Sequence, residues 1–263
     1  MRPRYLVVPS GPPSLPPRRP IRLLALLAAR DEMRHLPGFV ANVAPHVNGI
    51  VALDDGSTDG SADFLASRPE VLELLRVPPG RPGWDEVGNH RALVAAGVAH
   101  GADWLISLDA DERVERDFGV RARRVIRRGR LLGLTAYHVR LRELWDSRAA
   151  YRDDGIWGRK LPARLYAASS DHVFDERPLH AFKAPLQARR VGASFPIADL
   201  EVYHLRMIRP EDRRARRERY ELADPDARWQ PGIGYAYLTD ETGLTLRPVP
   251  RSRGFDEDPP PAP

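Results

Sequence analysis

Two acidic clusters each close an apolar run in this chain. Ile50-Val51-Ala52-Leu53 leads into Asp54-Asp55-Gly56-Ser57-Thr58-Asp59-Gly60-Ser61, and Trp104-Leu105-Ile106-Ser107-Leu108 leads into Asp109-Ala110-Asp111-Glu112. A short, wholly apolar run reads as a strand buried on both faces. Carboxylates at its end fall on the carboxyl edge of a parallel sheet, where open α/β folds hold their ligands. Oxygen donors grouped there suit a hard divalent cation such as Mg²⁺ or Mn²⁺, and a carboxylate can also take a proton from a reacting hydroxyl.

The block from Leu23 to Glu112 resembles the family 2 glycosyltransferases of the GT-A fold. Three stations carry the resemblance, in the family's order: Ala28-Ala29-Arg30-Asp31-Glu32 after the first strand, Asp54-Asp55-Gly56-Ser57-Thr58-Asp59-Gly60, and the Asp-x-Asp Asp109-Ala110-Asp111. An Asp-x-Asp alone is weak, because any acidic loop can produce one; its pairing with the upstream motif at strand-helix spacing is specific. The resemblance covers a third to a half of the chain.

It implies a nucleotide-sugar donor, an acceptor it does not identify, and a Mn²⁺ or Mg²⁺ cofactor acting as Lewis acid on the departing diphosphate. By residue, it implies that Asp111 contacts the metal and that Asp109 helps through the ribose or a metal-bound water. Asp55 would accept from the nucleobase imide, with Ala28 and Arg30 lining the base. The family often has an aromatic or small polar residue where this chain has Arg30, so uracil, thymine and guanine all stay open. Arg81 and Arg91 fall where relatives place a basic diphosphate contact, and guanidinium suits that task. His204, ending the segment Val202-Tyr203-His204, is a candidate third metal ligand. His180 matches a His-Glu pair of some relatives, but Ala181 replaces the acid. An inverting transfer also needs a carboxylate base on the acceptor side, for which Glu176 or Asp175 is expected, with Asp153 and Asp154 competing.

The remaining composition narrows the alternatives. With 263 residues the chain suits one α/β domain with a smaller acceptor-side part. Basic residues total 41 against 36 acidic, a formal charge of +5, yet no base-reading or aromatic-stacking motif accompanies the charge, so no nucleic-acid partner is expected. The absence of cysteine excludes disulfides, thiolate zinc sites and a cysteine nucleophile. The longest apolar run, Ile21 to Ala29, is interrupted by Arg22 and is far short of the ~20 residues a spanning helix needs. With no secretory signal pattern in the first residues, a cytoplasmic location is expected, with peripheral contact to anionic membrane as an option.

These residues need a scaffold. Residues 1–20 and 248–263 are Pro-rich and read as flexible tails around a folded body at 21–247, divided into a nucleotide-sugar half (21–116) and an acceptor half (117–247). Leu23 to Ala28, Ile50 to Leu53, Leu72 to Arg76 and Trp104 to Leu108 read as strands separated by helices, which predicts a mostly parallel sheet with crossover helices. Pro37 suits the first turn of one helix, and Ser57 or Asp59 is a candidate cap for the next. Thr135 to Leu141 alternates as a strand with Tyr137, Val139 and Leu141 inward. Leu161 to Tyr166 and Ala188 to Phe195 are weaker strand candidates. Pro210 opens an Arg-loaded helix with Glu211 and Asp212 in its first turn.

Three neighbouring families fit less well. The processive synthases' Gln-x-x-Arg-Trp is only half matched by Arg228-Trp229, with Pro225 at the Gln position. Pyrophosphorylases carry a Gly-rich loop where Arg30-Asp31-Glu32 stands. Haloacid-dehalogenase phosphatases place their Asp-x-Asp on the first strand. From another class, a catalytically inactive GT-A domain could dock on anionic lipid through Arg213, Arg214, Arg216, Arg217 and Arg219.

Overall fold

The computed structural model describes residues 20–81, 83–174, 183–186 and 196–257. Four apolar runs form its first sheet half: β1 (Leu23–Ala29), β2 (Ile50–Asp55), β3 (Val71–Val77) and β4 (Trp104–Leu108). They are mutually parallel in the order β3-β2-β1-β4. Beyond β4 the same sheet continues through β8 (Ala163–Ala167), β6 (Ala136–Glu143), β9 (Ile197–His204) and β5 (Glu112–Val114). In this half the directions mix: β8 is antiparallel to both β4 and β6, β9 is parallel to β6, and β5 is antiparallel to β9. The expected α/β architecture, a mostly parallel sheet flanked by helices, is the one observed.

Alternation along β1 assigns the two faces. Leu23, Ala25, Leu27 and Ala29 join the larger core under α1 (Leu36–Val43) and α4 (Phe118–Arg130), together with Phe39, Val43, Phe118 and Ile126. Leu24 and Leu26 join the opposite core under α3 (Glu86–Ala99), with Leu93, Val94 and Leu105. Pro37 lies in the first turn of α1 as its fixed φ suits. The next helix, α2 (Ser61–Ala66), is capped differently from expectation: its N-cap is Gly60 in the left-handed region. Asp59 instead turns its carboxylate onto the backbone N–H and hydroxyl of Ser61.

The inward set expected on β6 holds, and it extends one step further, to a buried Glu143. The segment Ala188 to Phe195 lies outside the described residues, as does the tail before Pro20. A second small ribbon, β7 (Ala150–Arg152) with β10 (Leu246–Pro248), lies beside the main sheet.

Two expectations change. The stretch 248–257, expected to be a flexible tail, is held by ion pairs along its length. Arg253 binds Glu115 and Asp199, Asp256 binds Arg116, and Glu257 binds the buried Arg113. Proline content removes backbone donors but leaves side chains free to anchor a strap. The Arg-loaded helix, α5 (Pro210–Ala223), turns much of its charge inward. Arg213 is buried over the Trp145 ring and bonded to Asp146, Arg216 is half-buried beside Tyr220, and Arg217 pairs with Glu221. Only Arg214 and Arg219 of the five are exposed, a poor footprint for lipid. No helix among the described residues is long and apolar enough to cross a membrane.

Candidate active site

Parallel register brings the three sequence stations together. Ala29 pairs with Asp54 and Leu27 with Leu108, so the loops after β1, β2 and β4 emerge side by side at one sheet edge. The Gly-Ser-Thr-Asp motif after β2 is chiefly a brace for the loop after β1. Ser57 accepts from the N–H of Asp31, Asp59 from that of Met33, and Ser61 from that of Glu32. Asp31 returns the contact by accepting from the N–H of Thr58 at 2.8 Å. Asp54 orients the turn by accepting from the N–H of Ser57. The chain can turn so tightly at Gly56 (φ +78°) because no Cβ is present; one would lie 3.0 Å from the Pro78 carbonyl.

A small cleft of about 60 Å³ opens at this edge on the α3 side, lined among others by Ala28, Trp84, His90, Ser107, Asp109 and Lys183. It exists because the large β1 residues Leu24 and Leu26 give way to the small Ala28 while Ser107 occupies the same face of β4, leaving a gap beneath α3. At its floor Ser107 and Tyr166 share a 2.7 Å hydrogen bond, and His90 Nε2 lies 3.1 Å from the same phenol. Burial presses the His90 imidazole down to about 3, so this floor is neutral.

Asp55 is fully buried beside the cleft, and both its oxygens are engaged. Arg30 reaches Oδ2 at 2.7 Å and Arg81 reaches Oδ1 at 3.2 Å. Arg81 also binds Asn89 and Asp85, and Arg30 lies over the Trp84 ring at 5.5 Å. Arg30 and Arg81 therefore join the expected base end, but as partners of Asp55; acceptance from a base imide requires one guanidinium to move aside. Arg91 departs from expectation: it sits on the exposed face of α3, away from the residues that line the cleft.

The Asp-x-Asp divides its labour. Asp109 is the accessible member, 37% exposed, with Lys183 on one oxygen and Arg164 at 3.6 Å from the other. Asp111 is 1% exposed and sits within a row of alternating charge. Its Oδ2 meets His204 Nε2 at 3.0 Å and Arg206 Nε; His204 Nδ1 faces Glu143 at 2.8 Å; Glu143 binds Lys160 at 2.6 Å. Burial alone would lower the His204 imidazole, but Glu143 and Asp111 overcome it and raise it to about 9. Burial would likewise raise Asp111, yet His204 and Arg206 hold it well below the usual carboxylate range. Two buried groups set the turn itself. Glu112 accepts from the N–H of Asp109 and binds Arg164, while Arg113 donates to the carbonyls of Ala110, Glu112 and His35.

The donor set leaves one carboxylate oxygen open to a divalent cation. Asp111 Oδ1 is buried without a hydrogen-bond partner. His204 stands with one ring nitrogen toward Asp111 Oδ2 and the other toward Glu143, which holds it protonated, so it can ligate a metal only after giving up that proton and its contact with Asp111. Among the described residues no three His, Cys, Asp or Glu form a ligand cluster. A cation completed by phosphate oxygens and water needs only one or two protein carboxylates. Glu176, Asp175 and His180 lie outside the described residues. The competing Asp153 and Asp154 are tied to arginines, Asp153 to Arg142 and Arg247 and Asp154 to Arg152.

Sequence reasoning did not single out Glu32, Glu143, Lys160, Arg164, Lys183 or Arg206. The inward alternation of β6 would have reached Glu143, and Lys160 and Lys183 are the two lysines of an otherwise arginine-based chain.

No family model matches the chain. It is 32% identical over 106 residues to the uncharacterized proteins Mb3815c of Mycobacterium bovis and Rv3786c of Mycobacterium tuberculosis, a match covering 39% of this chain and 26% of each relative. The chain thus spans about a quarter of the length of the curated relatives it matches. Among solved structures it is similar to S. aureus TarS (TM-score 0.47, 14% identity, 83% of this chain and 41% of that one). The complex of TarS 1–349 with UDP gives TM-score 0.47 at 12% identity, over 76% and 66% of the two chains. Glucosyl-3-phosphoglycerate synthase from Mycobacterium tuberculosis, in complex with Mn²⁺, UDP and glucosyl-3-phosphoglycerate, gives TM-score 0.32 at 20% identity, over 47% and 44%.

Proposed function

We propose that this chain is a divalent-cation-dependent glycosyltransferase of GT-A type, moving one sugar from a nucleotide-sugar donor to an acceptor with inversion. The observation that carries the reading is the convergence of the loops after β1, β2 and β4 at one sheet edge, with Asp109 lining the cleft and Asp111, two residues on, keeping one carboxylate oxygen without a hydrogen-bond partner.

The base end is built by Asp55, Arg30, Arg81 and Trp84, whose ring lines the cleft and offers a stacking surface. Ala28 leaves the room. Asp109, exposed in the cleft, is placed for a ribose hydroxyl or a metal-bound water, and Lys183 beside it for a phosphate oxygen. Asp111, and His204 once deprotonated, would hold a Mn²⁺ or Mg²⁺ ion, which would supply Lewis-acid stabilisation to the leaving diphosphate. In the reaction the acceptor oxygen bonds to the anomeric carbon as the bond from that carbon to the phosphate oxygen breaks. The hydroxyl proton passes to a carboxylate, for which Glu176 or Asp175 is the proposed base, and the nucleoside diphosphate departs. An acceptor in envelope or surface glycan assembly is consistent with this chemistry and is assigned by analogy alone.

Calorimetric titration with UDP, GDP and dTDP, each with and without Mn²⁺, tests the reading. Uptake of one nucleotide that requires Mn²⁺ and is lost in Asp111→Asn supports it. No cation-linked uptake of any of the three rejects it.

A further inference from the structure

Arg206 stands two residues beyond the end of β9, where its guanidinium forms a fork between two loops. Nε donates to Asp111 Oδ2, and Nη2 donates to Glu32 Oε1 at 2.5 Å. Glu32 belongs to the loop after β1 and Asp111 to the loop after β4, so one side chain bridges both walls of the site. Asp111 Oδ2 already accepts from two cationic groups, Arg206 and His204, while Oδ1 stays buried and unpartnered. From Lys160 through Glu143, His204, Asp111 and Arg206 to Glu32, the signs alternate without a break.

Such a row is neutral by itself. A bare dication approaching Asp111 meets a guanidinium in contact with Oδ2, one of the two oxygens it would use, in a buried setting where repulsion is poorly screened. A diphosphate reverses that balance, because it attracts the same guanidinium and brings the charge that lets cation and arginine coexist. Glu32 gives the arm an anchor it can keep while Asp111 is released.

We propose that Arg206 is a positioning residue that couples the two ligands: it excludes the cation alone by occupying Asp111, and it admits cation and nucleoside diphosphate together by transferring its charge from Asp111 to the diphosphate. This inference rests on the function proposed above. It predicts ordered, mutually dependent binding, and by thermodynamic reciprocity each ligand strengthens the other by the same factor.

Free Mn²⁺ is read by electron paramagnetic resonance during titration of the full chain, with and without saturating UDP or GDP. Wild type, Arg206→Gln, Arg206→Lys and Glu32→Gln are compared, with folding checked by circular dichroism. In wild type, Mn²⁺ affinity rises about tenfold or more when the favoured diphosphate is present. Arg206→Gln takes up Mn²⁺ alone about tenfold more tightly than wild type and loses most of the diphosphate effect. Arg206→Lys restores only part of the coupling, since an ammonium has no planar fork with which to bridge two carboxylates. Glu32→Gln, by leaving the arginine wholly to Asp111, weakens uptake of Mn²⁺ alone. A folded Arg206→Gln that binds Mn²⁺ alone no more tightly than wild type, or that keeps the full diphosphate effect, overturns the coupling role while leaving the transferase reading intact. Failure of wild type to take up Mn²⁺ even with diphosphate overturns both.

Discussion

His90 carries a consequence of burial that can be measured directly. It lies on the buried face of α3 with its ring near Tyr166 and Phe174, and desolvation lowers it to about 3 against an ordinary value of 6.5. Between those values the unfolded chain holds a proton there and the folded chain does not. The sign follows: stability is complete above about pH 6.5 and is lost as pH falls toward 3. From pH 7 to pH 5 this one group removes about 2 kcal/mol. Urea unfolding at both pH values should show a loss smaller by that amount in His90→Gln than in wild type, because the amide does not titrate. His35, lowered to about 4 for the same reason, contributes equally to both proteins and cancels in the comparison. The acidic stations were legible because carboxylates at the ends of apolar runs are rare outside ligand edges. The cationic partners were not. In a chain loaded with arginine, residue type could not distinguish Arg164 or Arg206 from surface charge; only the three-dimensional neighbours do so.

Among the elements, the motif after β2 shows how a site is set by bracing. Ser57, Asp59 and Ser61 fix the loop after β1 through three backbone N–H groups, and this loop carries Arg30 and Glu32. Gly56 makes the turn feasible. In Gly56→Ala the new Cβ meets Pro78 and Pro79 at 3.0–3.1 Å with φ still near +78°, and a loss of about 1–3 kcal/mol in urea unfolding is expected. Nucleotide affinity should fall with it, because the same displacement pulls Asp55 from Arg81. A Gly56→Ala protein of unchanged stability would show the turn relaxing freely. The parallel strands were legible as whole elements because burial on both faces demands continuous apolar runs. β5 was not, since Glu112-Arg113-Val114 has no apolar alternation and is buried by satisfied charge instead. The inward face of β6 was readable up to Leu141, and its next member, Glu143, supports His204.

At the scale of the molecule, the segment 248–257 ties the end of the described chain back to β9 and the Asp-x-Asp turn. Glu257 neutralises Arg113, which holds the carbonyls on either side of Asp111; Arg253 neutralises the buried Glu115. Breaking such a pair strands a buried charge. Glu257→Gln should therefore lower stability by about 2–3 kcal/mol in denaturant unfolding, and Arg253→Ala by a similar amount. Glu257→Gln should also weaken cation-dependent nucleotide uptake more than Arg253→Ala does, because only Arg113 touches the turn. Equal effects on uptake would detach the strap from the site. Nothing in the sequence announced this link: a Pro-rich stretch with scattered charges has no periodicity, and its order comes from partners 50 to 144 residues away.

The strap also sets a timetable for biosynthesis. As the polypeptide emerges from the ribosome, strands β1 to β4 and their helices can assemble early, since their contacts are local and arrive in sequence. The turn bearing Asp111 lacks Arg113's counter-ion until Glu257, 144 residues further along the chain, has been made. A nascent chain that stops short of Glu257 would then carry the loops after β1, β2 and β4 while the buried Arg113 lacks its carboxylate partner, so the Asp111 turn is completed later than the sheet edge that bears it.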